Sequence, residues 1–130
     1  MPHKLAMTGQ VRDWLHALRS GDPVTRRLVA EAIDRFLDEG PVLGRPLVDR
    51  IAESRLHNLK ELRPGSSGSS EVRILFLFDP VRNVVLLVAG DKSGRWKEWY
   101  TKAIPEAEAA YEAYLEDSDE RAARVFHLHP

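Results

Sequence analysis

The stretch VVLLVAGD, Val84–Asp91, opens with six apolar residues in a row. A half-buried strand alternates apolar with polar side chains because neighbours point to opposite faces; one that is apolar on both faces has to be covered on both. Val84–Ala89 is therefore expected at the centre of a sheet, and the run is far shorter than the roughly 18–20 residues a membrane helix needs. Just upstream, EVRILFLFD is a second strand rich in branched and aromatic residues, and DPVRN between the two is a turn. RLHNLKELR, before the Pro, Gly and Ser loop of residues 64–70, reads as a third, amphipathic strand. Three strands with one long and one short connection make an antiparallel meander.

Helices flank the meander. Lys4 to Met7 suits a short strand, after which Thr8 is a plausible N-cap and Val11, Trp14, Leu15 and Leu18 share one helix face that ends near Gly21. Asp22 as N-cap and Pro23 at the first helical position start a second helix. Its expected stripe is Val24, Leu28, Ala32, Ile33, Phe36 and Leu37, and Gly40-Pro41 stops it. Residues 42–54 read as a connection. After Lys92 the pattern is helical again, with Trp96, Trp99, Tyr100 and Ala103 on one stripe and Ala107, Tyr111, Tyr114 and Leu115 on the next. Pro105 is expected to kink or restart this helix. Residues 1–118 form a single α+β domain in this reading, and 119–130 a polar tail.

A chain of 130 residues, 43% hydrophobic and 30% charged, is one ordinary soluble domain. It has no cysteine, hence neither disulfides nor thiolate metal sites, and MPHKLAMTGQ lacks the pattern of a secretory signal, so a cytoplasmic location is expected. The net charge of −1 excludes a broadly basic nucleic-acid coat but hides a gradient: residues 1–54, 55–102 and 103–130 carry 0, +4 and −5. A phosphate site belongs in the middle segment.

Strand alternation assigns faces. His57, Leu59, Glu61 and Arg63 point one way and Leu56, Asn58, Lys60 and Leu62 the other; Val72, Ile74, Phe76 and Phe78 face the helices. Arg73, Leu75, Leu77 and Asp79 then look onto an open face, where His57, Glu61, Arg63 and Arg73 converge and Lys92 approaches. The exposed pair Leu75 and Leu77 would be a partner surface. A carboxylate or imidazole can take the proton of a ribose 2′-hydroxyl, guanidinium groups can hold a phosphate, and a Lys, Tyr or His can protonate the leaving oxygen. Trp96, Trp99 and Tyr100 offer planes on which a base can stack. The plainer alternative makes Glu61 and Arg63 a cross-strand pair and the tryptophans core anchors. His127 and His129 are too isolated for a metal motif, and GSSGSS lacks the Lys and helix of a P-loop.

The segments VRDWLHAL, TRRLVAEAIDRFLDEGPVLGRPLVDRI, LHNLKELRPG, SSEVRILFLFDP, VVLLVAGDKSG and WKEWYTKAIPEAEAAYEAYL, in this order, resemble a HigB-like toxin, from the phage-derived branch of the RelE/ParE superfamily. The resemblance covers roughly residues 8–116. It implies a RelE-like microbial ribonuclease fold: an N-terminal helical hairpin on a small, mainly antiparallel sheet, plus a C-terminal helix. It further implies a toxin of a type II toxin–antitoxin system that cleaves mRNA in the ribosomal A site, by 2′-oxygen attack on the adjacent phosphate, with neither metal nor cofactor. By this resemblance Glu61, Arg63, Arg73 and Lys92 take catalytic positions, and Tyr100, or Trp96 in its place, that of the family's tyrosine; His57, Lys60, Arg95, Trp96 and Lys97 are the expected RNA-contacting residues. The implied partner is a cognate helix-turn-helix, HigA-like antitoxin, without which no DNA binding is expected. A ParE-like gyrase inhibitor without nuclease activity, or a non-toxic interaction module, are the alternatives.

Overall fold

A computed structural model describes the backbone of residues 4–40 and 43–128, and side chains as far as 117. Elements follow in the order β1 (Leu5–Met7), α1 (Gly9–Gly21), α2 (Pro23–Glu39), β2 (Val48–Arg50), β3 (Lys60–Leu62), β4 (Val72–Phe78), β5 (Val84–Asp91) and α3 (Trp96–Leu128). The five strands form one sheet in the order β1-β5-β4-β3-β2, antiparallel throughout except that β1 runs parallel to β5. The class is α+β. The expected meander is present but is widened by two strands: β1, and β2, which lies inside the segment read as a connection. Three residues between Gly44, Pro46 and a polar loop give no periodicity, and β2 is defined by its pairing to β3.

Local chemistry sets both helix starts. Thr8 Oγ1 accepts from the Val11 N–H, and Asp22 Oδ1 from the Thr25 N–H, satisfying amides that the helices leave without internal partners. Asp22 does a second job: its Oδ2 accepts from Thr25 Oγ1 at 2.6 Å and from Ser67 Oγ at 2.7 Å. The serine loop is thereby tied to the α1–α2 junction rather than merely spanning a gap. The buried stripe of α2 is Thr25, Val29, Ala32, Ile33 and Phe36; Val24, expected in it, is exposed because the helix is turned by one position at its start.

The sheet separates two cores. On one face α1 and α2 pack on Leu62, Ile74, Phe76, Val84 and Leu86, with Phe36 against Phe76 at 4.5 Å between ring centroids. On the other, α3 lays Ala103, Ile104 and Ala107 over Leu59, Leu75, Leu77 and Leu87. The face expected to be open is thus covered. Leu75 and Leu77 are buried core residues, not a partner surface, which removes the basis for the interaction-module reading. α3 runs through Pro105 without ending. Pro105 is exposed and, with Thr101, borders an open cleft, so the carbonyl deprived of its partner lies near water. The helix continues to Leu128, through much of the segment read as a tail. His3 and His129, and the side chain of His127, lie outside the described residues.

An irregularity in β5 matters for the site. Leu75 pairs with Val88 but Phe76 with Leu86, so Leu87 is an extra residue and the strand bulges. Leu87 and Val88 both face α3, and Ala89 returns to the other core. The bulge reverses the alternation of everything after it, placing Gly90 opposite Arg73 on the α3 face, with Lys92 two residues on. Gln10 fits the irregular stretch: its side-chain amide donates to the Ala89 carbonyl at 2.8 Å and accepts from the Ala89 N–H at 2.9 Å, in place of the strand that β1 no longer supplies.

Candidate active site

Four elements bring five side chains to one edge of the α3 face. Glu61 is the only residue of β3 that points there, because its neighbours Lys60 and Leu62 face the helical hairpin. It is buried at 6% exposure. A carboxylate so placed must be compensated, and it is: Tyr100 of α3 donates its hydroxyl to Oε2 at 2.6 Å, while Arg73 Nε and Arg63 Nε stand 3.6 and 3.8 Å from Oε1. Arg63, just past β3, also approaches Asp49 of β2 at 3.7 Å.

Arg73 is held on an incomplete set of contacts. Its Nη1 donates to the Val72 carbonyl at 2.7 Å and Nη2 is 3.9 Å from Glu71. Nε is buried and has no hydrogen-bond partner, since Glu61 is beyond bonding distance. A buried guanidinium N–H without an acceptor is costly, and here the nearby Glu61 charge offsets part of that cost.

Lys92 closes the group, with Nζ 5.2 Å from the centre of the Tyr100 ring. Burial and then the Arg73 charge lower its pKa, outweighing the carboxylates of Glu61 and Glu71. Burial, followed by the hydrogen bond to Glu61, pushes the Tyr100 hydroxyl far above its ordinary value, so it stays protonated at neutral pH and donates a hydrogen bond. Tyr100 is held in place by its neighbour: Trp99 meets it edge-on with centroids 5.1 Å apart. Trp99 in turn lies on Gly90, where even a Cβ would come within 2.5 Å of the indole Nε1.

The five residues given catalytic positions therefore come together. The five given RNA-contacting positions do not. Trp96 and Lys97 border a cleft of about 600 Å³ that reaches Glu61 and Tyr100, and Lys97 Nζ lies 5.6 Å from the Trp96 ring. Arg95 lines a separate hollow with Gln10 and Lys102. Lys60 is on the opposite face of the sheet, over the Phe78 ring at 5.8 Å. His57 is exposed in the loop before β3, because the strand begins only at Lys60 and alternation cannot be carried back to it. For the same reason Leu56 packs with Leu59 in the α3-side core, not with Leu62. Sequence reasoning missed Asp49, Arg50 and Glu53, which β2 and the following turn bring to the site; the short pattern VDRI was the available signal. Among the described residues no three His, Asp or Glu gather as a metal-binding group, and no helix is long and apolar enough to cross a membrane.

Comparison with known proteins agrees with this architecture. The family model "Phage derived protein Gp49-like" matches residues 13–112. Two proteins of Mycobacterium tuberculosis named as HigB-type toxins are similar in sequence. HigB2 is 49% identical over 106 residues, 82% of this chain and 51% of that protein, so the chain spans about half its length. HigB3 is 48% identical over 106 residues, 82% of this chain and 88% of that protein. A solved structure of a mutant of the E. coli toxin RelE in the free state matches with a TM-score of 0.57 at 15% identity, covering 81% of this chain and 97% of that one, a likeness of fold. The chain thus belongs to the phage-derived Gp49-like family, HigB-like in sequence and RelE-like in fold.

Proposed function

We propose that the protein is the toxin of a type II toxin–antitoxin pair and acts as a metal-independent, ribosome-dependent mRNA endonuclease. The single observation that carries the chemistry is the cluster around Glu61: the Arg73 guanidinium 3.6 Å from its carboxylate, the Tyr100 hydroxyl bonded to it at 2.6 Å, and the Lys92 ammonium beside the Tyr100 ring. Guanidinium groups suit the grip on a phosphodiester, because their paired N–H groups match its oxygens. The toxin role itself is supported by the names of the similar proteins.

In this reading Glu61 accepts the proton of the ribose 2′-hydroxyl, and the 2′-oxygen attacks the adjacent phosphorus. Arg73, with Arg63 behind it, holds the non-bridging oxygens as negative charge builds on them. The bond to the 5′-oxygen breaks and that oxygen takes a proton from Lys92, a better acid than an ordinary lysine because its pKa is lowered. The products are a 2′,3′-cyclic phosphate and a 5′-hydroxyl. Tyr100, whose hydroxyl is too weak an acid to give up its proton readily, orients Glu61 and donates a hydrogen bond. Neutralisation falls to a helix-turn-helix, HigA-like antitoxin in the cytoplasm, and the +4 middle segment assists the approach of RNA.

Arg73→Ala should reduce mRNA cleavage by about 10²–10³, or about 3–4 kcal/mol in the barrier. Transcript ends mapped after induction, alongside a circular dichroism check of folding, measure this. Undiminished cleavage by the folded variant rejects the site; DNA breaks in place of cut transcripts would favour the gyrase-inhibitor reading.

A further inference from the structure

Beyond Leu86 the outer edge of β5 has no strand beside it, because β1 ends at Met7 and the chain turns into α1. Two side chains at the start of α1 stand in for one. Thr8 Oγ1 donates to the Leu87 carbonyl at 2.8 Å, and the Gln10 amide holds both the N–H and the carbonyl of Ala89. Among the described residues no other side chain bonds the backbone of Val88, Ala89 or Gly90. Gln10 can hold Ala89 only because the strand bulges. Along a regular strand, the backbone groups of alternate residues point to the same neighbouring strand. Val84 donates to the Lys4 carbonyl and the Leu86 carbonyl accepts from the Thr8 N–H, so Val84 and Leu86 face β1, and Val88 would be next. Ala89 faces that edge instead, since Leu87 is the extra residue. The paired bonds to Gln10 therefore form in the bulged register and are lost in the regular one, which would turn Gly90 and Lys92 away from α3.

We propose that Gln10 is a positioning residue for the reaction: its amide selects the bulged register of β5 and so delivers Lys92 to Glu61, Arg73 and Tyr100. This rests on the endonuclease reading for the role of Lys92, whereas the placement of Lys92 can be measured without RNA. Glu71 and Arg73 face it from β4 and its approach, Glu61 and Arg63 from β3 and its end, and Tyr100 from α3. In that setting burial, and then the Arg73 charge, hold its pKa below the ordinary value. A Lys92 turned away to water would titrate as an ordinary lysine.

The test is NMR spectroscopy of the full chain carrying Gln10→Met, close in size but unable to make either bond, or Gln10→Glu, whose ionised carboxylate repels the Ala89 carbonyl. Gln10 is exposed, so neither change empties a core position, and circular dichroism should match the parent. Each variant should lose the nuclear Overhauser contact between Lys92 and the Tyr100 ring, and the Lys92 pKa should rise toward its ordinary value. Deleting Leu87 removes the extra residue, so that regular alternation alone carries Gly90 and Lys92 to the α3 face. Added to Gln10→Met, the deletion should restore the contact, which a merely stabilising role for Gln10 does not predict. A kept contact with an unchanged Lys92 pKa in both single variants, or no restoration in a folded double variant, would overturn the proposal. So would loss of fold in both single variants, because Gln10 would then hold the fold and not the site; where only the double variant fails to fold, the single variants decide. Cleavage separates the two readings. In the single variants kcat should fall by about tenfold or more with KM nearly unchanged, since Lys92 acts on the leaving oxygen. A parent that cuts no RNA removes the endonuclease and leaves the placement of Lys92 to the NMR result, whereas full cleavage by variants that have lost the contact removes the positioning role alone.

Discussion

Gly90→Ala is a small substitution with a consequence that can be worked from geometry. The added Cβ would sit 2.5 Å from Trp99 Nε1, 3.2 Å from Cε2 and 3.4 Å from Cζ2. Ordinary contact for such atoms is about 3.5–4.0 Å, so the indole has to retreat by about 1 Å. Overpacking of this kind costs about 1–3 kcal/mol. Against it stands the gain from replacing a strand glycine, about 0.5–1 kcal/mol. At the middle of both ranges overpacking wins, leaving a net loss of about 1 kcal/mol, or about 4 °C in Tm for a domain of this size. Trp99 carries Tyr100 with it, so cleavage should fall as the Tyr100–Glu61 bond loosens. Thermal unfolding of Gly90→Ala, Trp99→Leu and the double variant measures the effect, because removing the indole should make the glycine substitution harmless. An unchanged or raised Tm for Gly90→Ala alone would refute the seating of Trp99 on Gly90.

Two further substitutions probe the same face. Leu75→Ala should destabilise by about 2–5 kcal/mol in a denaturant melt, as a fully buried leucine does; a change within about 0.5 kcal/mol would return it to the surface. Tyr100→Phe removes a hydroxyl whose pKa lies above the ordinary 10.0 in the folded chain, so the protonated form is favoured by folding. That stabilisation is present below pH 10.0 and fades as pH climbs toward the raised value. Tm followed from about pH 9 upward should fall less steeply for the variant than for the parent, and parallel curves would count against a hydroxyl buried beside Glu61.

Much of this fold is legible in the sequence, for reasons that can be located. Thr8 and Asp22 announce helix starts because their side chains do the capping within three residues. The run Val84–Ala89 announces a central strand because only a strand covered on both sides tolerates it. What failed depended on distant chain. Covering of the Leu75–Leu77 face is decided by α3, which begins nineteen positions after Leu77, so the strand pattern alone could not distinguish an open face from one beneath a helix. β2 exists only through its register with β3, and the late start of β3 strands His57 outside it. Arg73 and Glu61 could be placed on one face by alternation, but Lys92 reaches it through the bulge at Leu87, which nothing in VVLLVAGD signals.

In the proposed reaction Glu61 and Arg73 promote attack by a ribose 2′-oxygen. It is tested most directly by incubating the protein and programmed ribosomes with two mRNAs that differ in one atom, a 2′-deoxy substitution on the nucleotide 5′ to the cleaved bond. The all-ribose message should be cut to a 2′,3′-cyclic phosphate and a 5′-hydroxyl, and the substituted message should remain whole at that bond. Equal cutting of both messages would rule out attack by the 2′-oxygen.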